Sequence, residues 1–232
     1  MYILGDIHGE LFSLVKFWSN PDEQFCIQLG DWGFWFSNEE TPDENNTIDF
    51  IERHLTEKDK FIFTILGNHD CWPRYFNLPT VKKCSAKCWQ IRPHIYAVQK
   101  GEILMIEEKR CLCIGGADSI DKDWRLTYER EHNEKIWWKE ETIGEDAIEN
   151  AEKNLSKFNG KVDYVFTHSS PGFAVQKLFT NPTISSSERR LDDLFGNIQF
   201  NCWYCGHLHT SQVLNKHEKE LRILGINEVH II

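Results

Sequence analysis

The sequence predicts an α/β fold with one parallel sheet and a second sheet of antiparallel strands, on three observations. Short apolar runs that favour β-structure stop abruptly at polar residues, as residues 61–66 do at Gly67-Asn68-His69-Asp70. Segments with helical spacing lie between the early runs, which is typical of βαβ units. Three later runs are separated by short turns, which indicates antiparallel pairing. Because α/β sheets bind ligands beyond the carboxyl ends of their strands, the polar residues are candidates for a functional site.

The first half of the chain is predicted to alternate strand and helix. Strands are expected over residues 2–4, 25–29 and 61–66, helices over residues 10–19 and 48–55, and a loop over residues 32–47. Leu11, Leu14 and Trp18 recur at helical spacing, and Asn20-Pro21 ends that segment. This first helix is therefore expected to cross over between two parallel strands.

The second half departs from this alternation. Residues 71–89 hold two prolines and three lysines without clear periodicity and are predicted to form a long loop or insert over the site. Residues 95–98, 103–106 and 111–114 predict an antiparallel meander. Later elements are expected as helices over 145–158, 173–179 and 187–195, strands over 162–166 and 200–205, and a closing strand pair over 221–226 and 229–232. We expect one domain over residues 1–232, with excursions at 71–89 and 117–141.

Composition limits the classes of protein to which the chain can belong. The formal net charge of −10 argues against a broad basic face that grips long nucleic acid. Phosphate chemistry stays open, because bound metal ions supply positive charge locally. The first residues lack the pattern of a secretory signal and no apolar stretch reaches the length of a membrane span, so a cytoplasmic protein that does not enter the membrane is expected.

The eight cysteines need an explanation other than disulfides in a reducing compartment. Cys26, Cys111 and Cys113 lie in apolar runs and are most simply small buried hydrophobic residues. An alternative is structural zinc held by Cys84 and Cys88 with Cys111 and Cys113, or by Cys202 and Cys205 with a partner, although these spacings are not those of the usual zinc knuckles.

Five polar motifs follow predicted strands in a fixed order. They are Asp6-Ile7-His8, Gly30-Asp31, Gly67-Asn68-His69-Asp70, Thr167-His168 and Gly206-His207-Leu208-His209. Each motif alone has a structural explanation, such as a helix cap for Asp6 or a turn for Asp31. Together and in this order they resemble the calcineurin-like metallophosphoesterases. The segment from Ile114 through Arg125, together with Trp137-Trp138 and Thr167-His168-Ser169-Ser170-Pro171, is similar to a bacterial and phage subgroup of that family.

The resemblance implies a fold, a metal centre and a reaction. The implied fold is an α+β sandwich of two mixed β-sheets packed together and flanked by helices. One ion would be held by Asp6, His8 and His209, a second by Asn68, His168 and His207, and Asp31 would bridge them. The implied reaction is hydrolysis of a phosphomonoester or small phosphodiester by a hydroxide between the ions. By resemblance His69 protonates the leaving oxygen, and Asp70 is expected to fix the His69 tautomer and favour its charged form.

The mixed ligand set has its own physical logic. Imidazole, carboxylate and carboxamide groups suit first-row transition metals, so two divalent or trivalent ions are expected, with manganese first and iron or zinc as alternatives. Two ions about 3.5–4 Å apart clamp both the attacking and the leaving oxygen of a displacement at phosphorus. No covalent enzyme intermediate is then needed.

The sequence departs from the protein phosphatase branch after Asp31. That branch continues to a second Asp and an Arg that helps to bind phosphate, whereas here Trp32-Gly33-Phe34-Trp35-Phe36 follows. The candidate substrate-binding residues are Arg125, then Arg74, together with Asn68, although each arginine is equally suited to a surface ion pair. The aromatic run is either a stacking surface for a base or aryl leaving group, or a hydrophobic loop packed in the core.

Three functions compete on this sequence. The first is a dinuclear metal-dependent phosphoesterase. The second is a nuclease or cyclic-nucleotide phosphodiesterase that binds bases on the aromatic run, and a steep salt dependence of binding would favour it. The third is a catalytically silent protein-binding scaffold on the same fold. The ligand positions and His69 all carry chemically competent residues, which favours an enzyme.

Overall fold

A computed structural model describes residues 1–38 and 41–232, and it contains two β-sheets with helices outside them. The strands are β1 (Tyr2–Leu4), β2 (Phe25–Gln28), β3 (Phe61–Ile65), β4 (Thr80–Lys83), β5 (Ala86–Arg92), β6 (Ile95–Val98), β7 (Glu102–Ile106), β8 (Lys109–Ile114), β9 (Tyr164–Thr167), β10 (Cys202–Cys205), β11 (Gln212–Lys216), β12 (Lys219–Ile223) and β13 (Val229–Ile231). The helices are α1 (Phe12–Ser19), α2 (Pro42–Lys58), α3 (Trp72–Phe76), α4 (Lys122–His132), α5 (Glu145–Ser156), α6 (Gly172–Leu178) and α7 (Ser186–Asn197), with a short 3-10 turn at Lys139–Glu141.

Both sheets are mixed and have parallel centres. The seven-stranded sheet has the order β13-β1-β2-β3-β6-β5-β4, in which β1, β2, β3 and β6 run parallel. The six-stranded sheet has the order β11-β12-β10-β9-β8-β7, in which β12, β10, β9 and β8 run parallel. The antiparallel strands lie at the edges. Strand carboxyl ends within each parallel set therefore meet at one edge of their sheet.

Three hydrophobic clusters define four layers. The cluster between the sheets joins Ile27 and Phe63 of the seven-stranded sheet to Cys113, Phe166 and Tyr204 of the six-stranded sheet. A second cluster packs α1, α2 and α3 on the outer face of the first sheet, and a third packs α5, α6 and α7 on the outer face of the second. The arrangement is helix, sheet, sheet, helix. The predicted architecture of two mixed sheets flanked by helices is confirmed.

Several local predictions were wrong. The three runs predicted as one meander divide between the sheets, because β6 pairs parallel with β3 while β7 and β8 form a hairpin in the other sheet. The two closing strands likewise do not pair, since β12 lies between β10 and β11 while β13 pairs with β1. Burial patterns of such short apolar runs are alike in either sheet, so the pattern does not identify the partner strand.

The predicted excursions contain regular structure. Residues 71–89 form α3, β4 and most of β5 rather than a long loop, and β4 and β5 extend the seven-stranded sheet. Residues 122–132 are the helix α4. The predicted loop over residues 32–47 holds the start of α2, and its residues 39 and 40 lie outside the described residues. Within the described residues, no helix is both long and apolar enough to span a lipid bilayer.

Candidate metal centre

The five polar motifs meet where the two sheets come together. Asp6, Asp31 and Asn68 follow β1, β2 and β3 of the seven-stranded sheet, whereas His168 and His207 follow β9 and β10 of the six-stranded sheet. The strand ends therefore converge from two sheets rather than one. Hydrogen bonds join the loops of the two sheets, since the Gly116 N–H donates to the carbonyl of Leu66 and the His207 N–H donates to the carboxylate of Asp6.

One group of side chains gathers around Asp6. The ligand atoms of Asp6, His8, Asp31 and His209 all lie within 4.8 Å of one another. The Nε2 atoms of His8 and His209 are 3.1 Å apart, and His209 Nε2 lies 3.2 Å from Asp6 Oδ2. Imidazole nitrogens with free lone pairs repel at such distances, so a cation or proton between them is needed.

A second group shares Asp31 with the first. It consists of Asp31, His168 and His207, again with ligand atoms within 4.8 Å of one another. His168 Nε2 lies 3.2 Å from Asp31 Oδ1 and 3.1 Å from Asn68 Oδ1. The carboxylate of Asp31 therefore stands between two sets of potential ligands.

Asp31 provides a test of whether these residues fit two metal ions. Its Oδ1 accepts the backbone N–H of His69 at 2.9 Å, whereas its Oδ2 is buried and has no hydrogen-bond partner among the described residues. A buried carboxylate oxygen without a partner is costly unless a cation compensates it. The donors are imidazole nitrogens, carboxylates and a carboxamide, which suit first-row transition metals. The residues fit such a pair.

The backbone turns sharply at four of the candidate ligands. His8, Asp31, His207 and His209 all have positive φ angles, between 46° and 66°. This left-handed conformation costs a non-glycine residue about 1–2 kcal/mol, and such residues cluster at functional sites. The turn aims each side chain back across the strand end. Sequence patterns gave no signal for it.

Two glycines make space for the carboxylates. A Cβ atom at Gly67 would collide with Asp31 Oδ1, and one at Gly206 would collide with Asp6 Oδ1. Neither glycine has a positive φ angle. They are required for close approach rather than for backbone freedom.

Hydrogen bonds and charges around the candidate ligands orient their side chains and shift their pKa values. The Nδ1 atom of His168 lies 2.7 Å from the carbonyl of Leu29, so Nδ1–H is the donor and Nε2 faces the centre. Burial alone would lower the pKa of His168, but the adjacent Asp31 carboxylate outweighs it and raises the pKa to about 10. The same pairing holds the pKa of Asp31 far below its usual range despite burial. Burial and the charge of His168 lower the pKa of His207 to about 4.

His69 has a different partner from the expected one. Its ring nitrogen Nε2 lies 2.9 Å from Nη2 of Arg125, which is almost completely buried, and Nδ1 lies farther from the same atom, at 3.4 Å. Because a guanidinium only donates, Nε2 accepts, and the proton of the neutral ring is on Nδ1. Burial lowers the pKa of His69, and the charge of Arg125 adds to this although Asp31 opposes it. These contacts favour a neutral imidazole.

Asp70 is occupied elsewhere. Its buried carboxylate accepts backbone N–H groups of Gly67 at 2.7 Å, Gly33 at 3.3 Å and Trp32 at 3.4 Å. Among the residues that the structure describes, no hydrogen bond joins it to the His69 imidazole, so these contacts do not support the expectation that Asp70 fixes that tautomer. Burial and the nearby Asp31 raise the pKa of Asp70 to about 7, against the opposing backbone hydrogen bonds. Asp70 holds two site loops together.

The two candidate arginines differ in position. Arg125 also donates to the backbone carbonyl of Asn68 at 2.9 Å and pairs with Asp121 at 2.9 Å. It therefore supports the loop that carries Asn68 and His69. Arg74 pairs with Glu44 at 2.9 Å and lies over the Trp35 ring. Neither guanidinium is a free group facing the centre. Direct contact with substrate therefore does not follow from these positions.

The aromatic run divides between core and site. Trp32, Phe34 and Trp35 are buried in the outer cluster of the seven-stranded sheet. Phe36 is half-buried, and its ring stacks on His69 with centroids 5.7 Å apart and planes 22° apart. The interpretation as a packed hydrophobic loop is therefore confirmed for Trp32, Phe34 and Trp35, and the stacking surface stays a prediction that only Phe36 could fulfil.

Other predictions and omissions concern cysteines and polar residues. Within residues 1–38 and 41–232 no cysteine belongs to a group of potential metal ligands, and all eight are free thiols, so the zinc alternative has no support. Sequence reasoning missed Ser119, which is buried next to Asn68, and Glu141, which is buried next to Ser119. Their only signal was their place in the segment 117–141.

The fold and the site together define a class. Two stacked mixed sheets bring Asp and His side chains from both sheets to a shared carboxylate, which is an arrangement of candidate metal ligands typical of hydrolases. Comparison with known proteins gives the family. The model of the calcineurin-like phosphoesterases matches residues 1–211, and the chain belongs to this family.

Similarity to individual proteins is distant. The structure of TT1561 from Thermus thermophilus is similar at 12% identity and a TM-score of 0.57, over 97% of this chain and 89% of that one, and it shares the fold. Phosphopantetheinyl hydrolase PptH from Mycobacterium tuberculosis matches at 14% identity and a TM-score of 0.47, over 97% of this chain and 89% of that one. A putative 5'-nucleotidase from Staphylococcus aureus, in complex with alpha-ketoglutarate, matches at 13% identity and a TM-score of 0.47, over 98% of this chain and 49% of that one. No curated protein sequence matched the chain.

Proposed function

We propose that the protein is a metal-dependent phosphoric ester hydrolase that acts on phosphomonoesters or small phosphodiesters. The single observation that supports this most is the pair of ligand groups that share Asp31, one around Asp6 and the other around His168. Membership of the calcineurin-like family supports a phosphoester substrate.

In this proposal two transition-metal ions occupy the centre, with manganese as the first choice and iron or zinc as alternatives. Asp6, His8 and His209 would hold one ion and Asn68, His168 and His207 the other, with the carboxylate of Asp31 within reach of both groups. Such ions supply a nucleophile at neutral pH and neutralise charge on the phosphoryl group.

His69 serves the leaving group in this proposal. In the neutral ring that Arg125 favours, Nδ1–H can only hydrogen-bond to the leaving oxygen; transfer of a proton requires the imidazolium form, which the negative charge of a bound phosphoester would favour. Arg125 is a positioning residue, since it contacts His69 and the Asn68 carbonyl rather than open space. We expect His69→Ala to abolish turnover while the metal content stays unchanged, and unaltered turnover would reject this role.

A metal analysis and a substrate panel test the proposal. Purified protein is analysed for bound metal, then assayed with Mn²⁺, Fe²⁺ or Zn²⁺ on an aryl phosphate, a bis-aryl phosphodiester, cyclic nucleotides and phosphopeptides. We expect metal-dependent hydrolysis of the aryl phosphate or the diester, lost in Asp31→Asn. Two bound ions without hydrolysis of any substrate would instead favour the silent scaffold.

A second candidate is a cyclic-nucleotide phosphodiesterase or a nuclease, and Phe36 is the observation that favours it. A ring stacked beside His69 is placed to contact a flat leaving group such as a nucleoside. The net charge of −10 disfavours long nucleic acid as a substrate. Faster hydrolysis of cyclic nucleotides than of aryl phosphates would establish this alternative.

We also infer a cytoplasmic location and a single catalytic domain. Eight free thiols suit a reducing compartment. The candidate centre takes ligands from Asp6 to His209, so one cooperative unit is the simplest organisation. Localisation of a tagged chain and one cooperative unfolding transition would test these two inferences.

A further inference from the structure

A chain of buried hydrogen bonds leads from Asn68 into the segment 117–141. Asn68 Nδ2 lies 3.3 Å from Ser119 Oγ, and Ser119 Oγ lies 2.9 Å from Glu141 Oε2. The other oxygen of Glu141 accepts the backbone N–H of Ser119 at 2.7 Å and the indole N–H of Trp137 at 3.0 Å. Glu141 is 1% exposed, Asn68 3% and Ser119 8%. Water is therefore largely excluded from these contacts, and each hydrogen bond is electrostatically stronger than it would be in water.

The chemistry of the groups determines which one donates and which one accepts in each of these hydrogen bonds. Two N–H groups and one hydroxyl converge on the Glu141 carboxylate, which is the arrangement that an ionised carboxylate accepts. The single hydroxyl proton of Ser119 is then used on Glu141, and only lone pairs of Ser119 face Asn68. The Asn68 group next to Ser119 must therefore be its NH₂. Its Oδ1 is left to face His168 Nε2, 3.1 Å away.

The orientation of an Asn amide is otherwise ambiguous, because oxygen and nitrogen have nearly the same shape. For a metal ligand the difference is decisive, since the carbonyl oxygen binds a cation and the NH₂ group does not. Arg125 fixes the backbone carbonyl of Asn68 but leaves the side-chain amide free to turn over. Something else must select the amide orientation.

We propose that Ser119 and Glu141 are positioning residues that hold the Asn68 carboxamide with its oxygen toward the second metal ion. The inference rests on the proposed two-ion centre. It assigns a purpose to the segment 117–141, which delivers Ser119 at one end and Glu141 at the other.

Glu141→Gln is the sharpest test because it keeps the shape of the side chain but replaces the oxygen that accepts from Ser119 with an NH₂ group that donates. The Gln oxygen stays with the two N–H donors, so its NH₂ faces Ser119 Oγ. Ser119 then donates toward Asn68, which favours the flipped amide. Ser119→Ala removes the acceptor altogether. Asp118→Asn is the matched control, since the Asp118 carboxylate accepts from Thr142 Oγ1 at 2.8 Å and the Ser187 N–H at 3.0 Å.

Mn²⁺ titration by calorimetry, with the spin-coupled Mn²⁺ pair followed by electron paramagnetic resonance, gives the first readout. We expect two binding events in the wild-type protein and in Asp118→Asn. In Glu141→Gln one event should weaken by about 10- to 100-fold, the usual cost of losing an outer partner of a ligand, while the other changes little. Ser119→Ala should show a smaller loss at the same event.

The side-chain NH₂ signals of Asn68 in ¹H–¹⁵N spectra of the metal-free protein give a second readout, assigned by their disappearance in Asn68→Asp. One proton should exchange slowly in the wild type and in Asp118→Asn, and rapidly in Ser119→Ala and Glu141→Gln. Unchanged Asn68 signals or unchanged Mn²⁺ affinity in Glu141→Gln would overturn the inference alone. A wild-type protein that binds one ion would overturn the two-ion centre and the inference together, whereas two ions, altered signals and no hydrolysis would refute only the proposed activity.

Discussion

Asp31 contacts both groups of candidate ligands at the centre. Its Oδ1 receives the His69 backbone N–H and faces His168, and its Oδ2 lies 4.0 Å from His8. Its backbone is left-handed, and its carbonyl accepts the N–H groups of Ile7 and His8. Asp31 thus bonds to the loop after β1 and to the loop after β3, and it belongs to both ligand groups. Its replacement should therefore disturb the whole centre.

Phe36 should determine which leaving groups are preferred. We expect Phe36→Ala to lower kcat/KM for an aryl phosphate by about tenfold, because stacking on an aromatic side chain contributes about 1–3 kcal/mol. A small alkyl phosphate should change by less than about twofold by the same reasoning. Phe36→Tyr, which keeps the ring, is the control, and equal losses on both substrates would show that Phe36 only supports His69.

Metal binding at the second group should depend on pH. With its pKa raised to about 10, metal-free His168 carries a proton that an ion must displace from Nε2. His207, with a pKa near 4, is already neutral. Between pH 6 and pH 9 we therefore expect affinity for the second Mn²⁺ to rise by about tenfold per pH unit.

Calorimetry in buffers of different ionisation enthalpy checks this directly. About one proton should be released per ion at the second group at pH 7. Release of no proton would show that His168 is neutral in the metal-free protein, and an unchanged pH slope in Asp31→Asn would show that the carboxylate is not the cause.

For single residues, the sequence predicted which of them lie together but not how their side chains contact one another. Residue types at strand ends were sufficient to gather Asp6 and Asn68, because parallel strands bring their carboxyl ends to one edge of a sheet, whereas His168 reaches the centre from the other sheet. The partner of His69 was not predictable in this way. Asp70 is its neighbour along the chain, yet Arg125 reaches its ring from α4, and side-chain direction is not encoded in sequence spacing.

Helix α7 offers a test at the scale of one element. Ser185 accepts the N–H of Glu188 at 3.2 Å, and Glu188 accepts the N–H of Ser185 at 2.6 Å, so the helix begins with a complete capping box. We expect Ser185→Ala to cost about 1 kcal/mol of unfolding free energy. Chemical denaturation measures this, and the exposed Ser186→Ala is the control. A cost no larger than that of the control would show that the cap contributes little.

Elements with regular amphipathic spacing were predicted well, and elements that depend on distant partners were not. Helix α5 was expected over residues 145–158 and covers Glu145–Ser156, with Ala147, Ala151 and Leu155 buried. Strand β4 alternates exposed and half-buried residues at the edge of its sheet. Such an edge strand is defined by its pairing with β5 rather than by its own composition, so its lysines and nearby prolines favoured a loop.

For the whole molecule, the two-sheet architecture predicts coupling between metal binding and stability. The ligands come from both sheets and from positions 6 to 209, so the complete site exists only in the folded state. An ion at 100 times its Kd stabilises the folded state by about 2.7 kcal/mol. For a protein of this size that corresponds to an increase in Tm of about 5–10 °C per ion.

Thermal unfolding with Mn²⁺ and with EDTA checks this coupling. The wild-type protein should melt higher with Mn²⁺, and Asp31→Asn should lose most of the increase. An equal increase in both proteins would mean that the ions bind somewhere other than the proposed centre.

The two-sheet fold itself was predictable as a whole because its ordered motifs resemble a known family. Which strand belongs to which sheet was not. β6 and β7 follow each other closely in sequence, yet they lie in different sheets, since the short connection after Val98 passes from one sheet to the other. Only contacts between remote segments determine such a choice.

The glycines beneath the carboxylates have a consequence for engineering. Because Gly67 and Gly206 supply room rather than chemistry, combinatorial libraries that aim to recruit new substrates should leave both codons untouched while varying positions such as Phe36, whose ring stacks on His69. Even alanine at either glycine would push a carboxylate out of place, and selection for new activity would then discard otherwise useful clones.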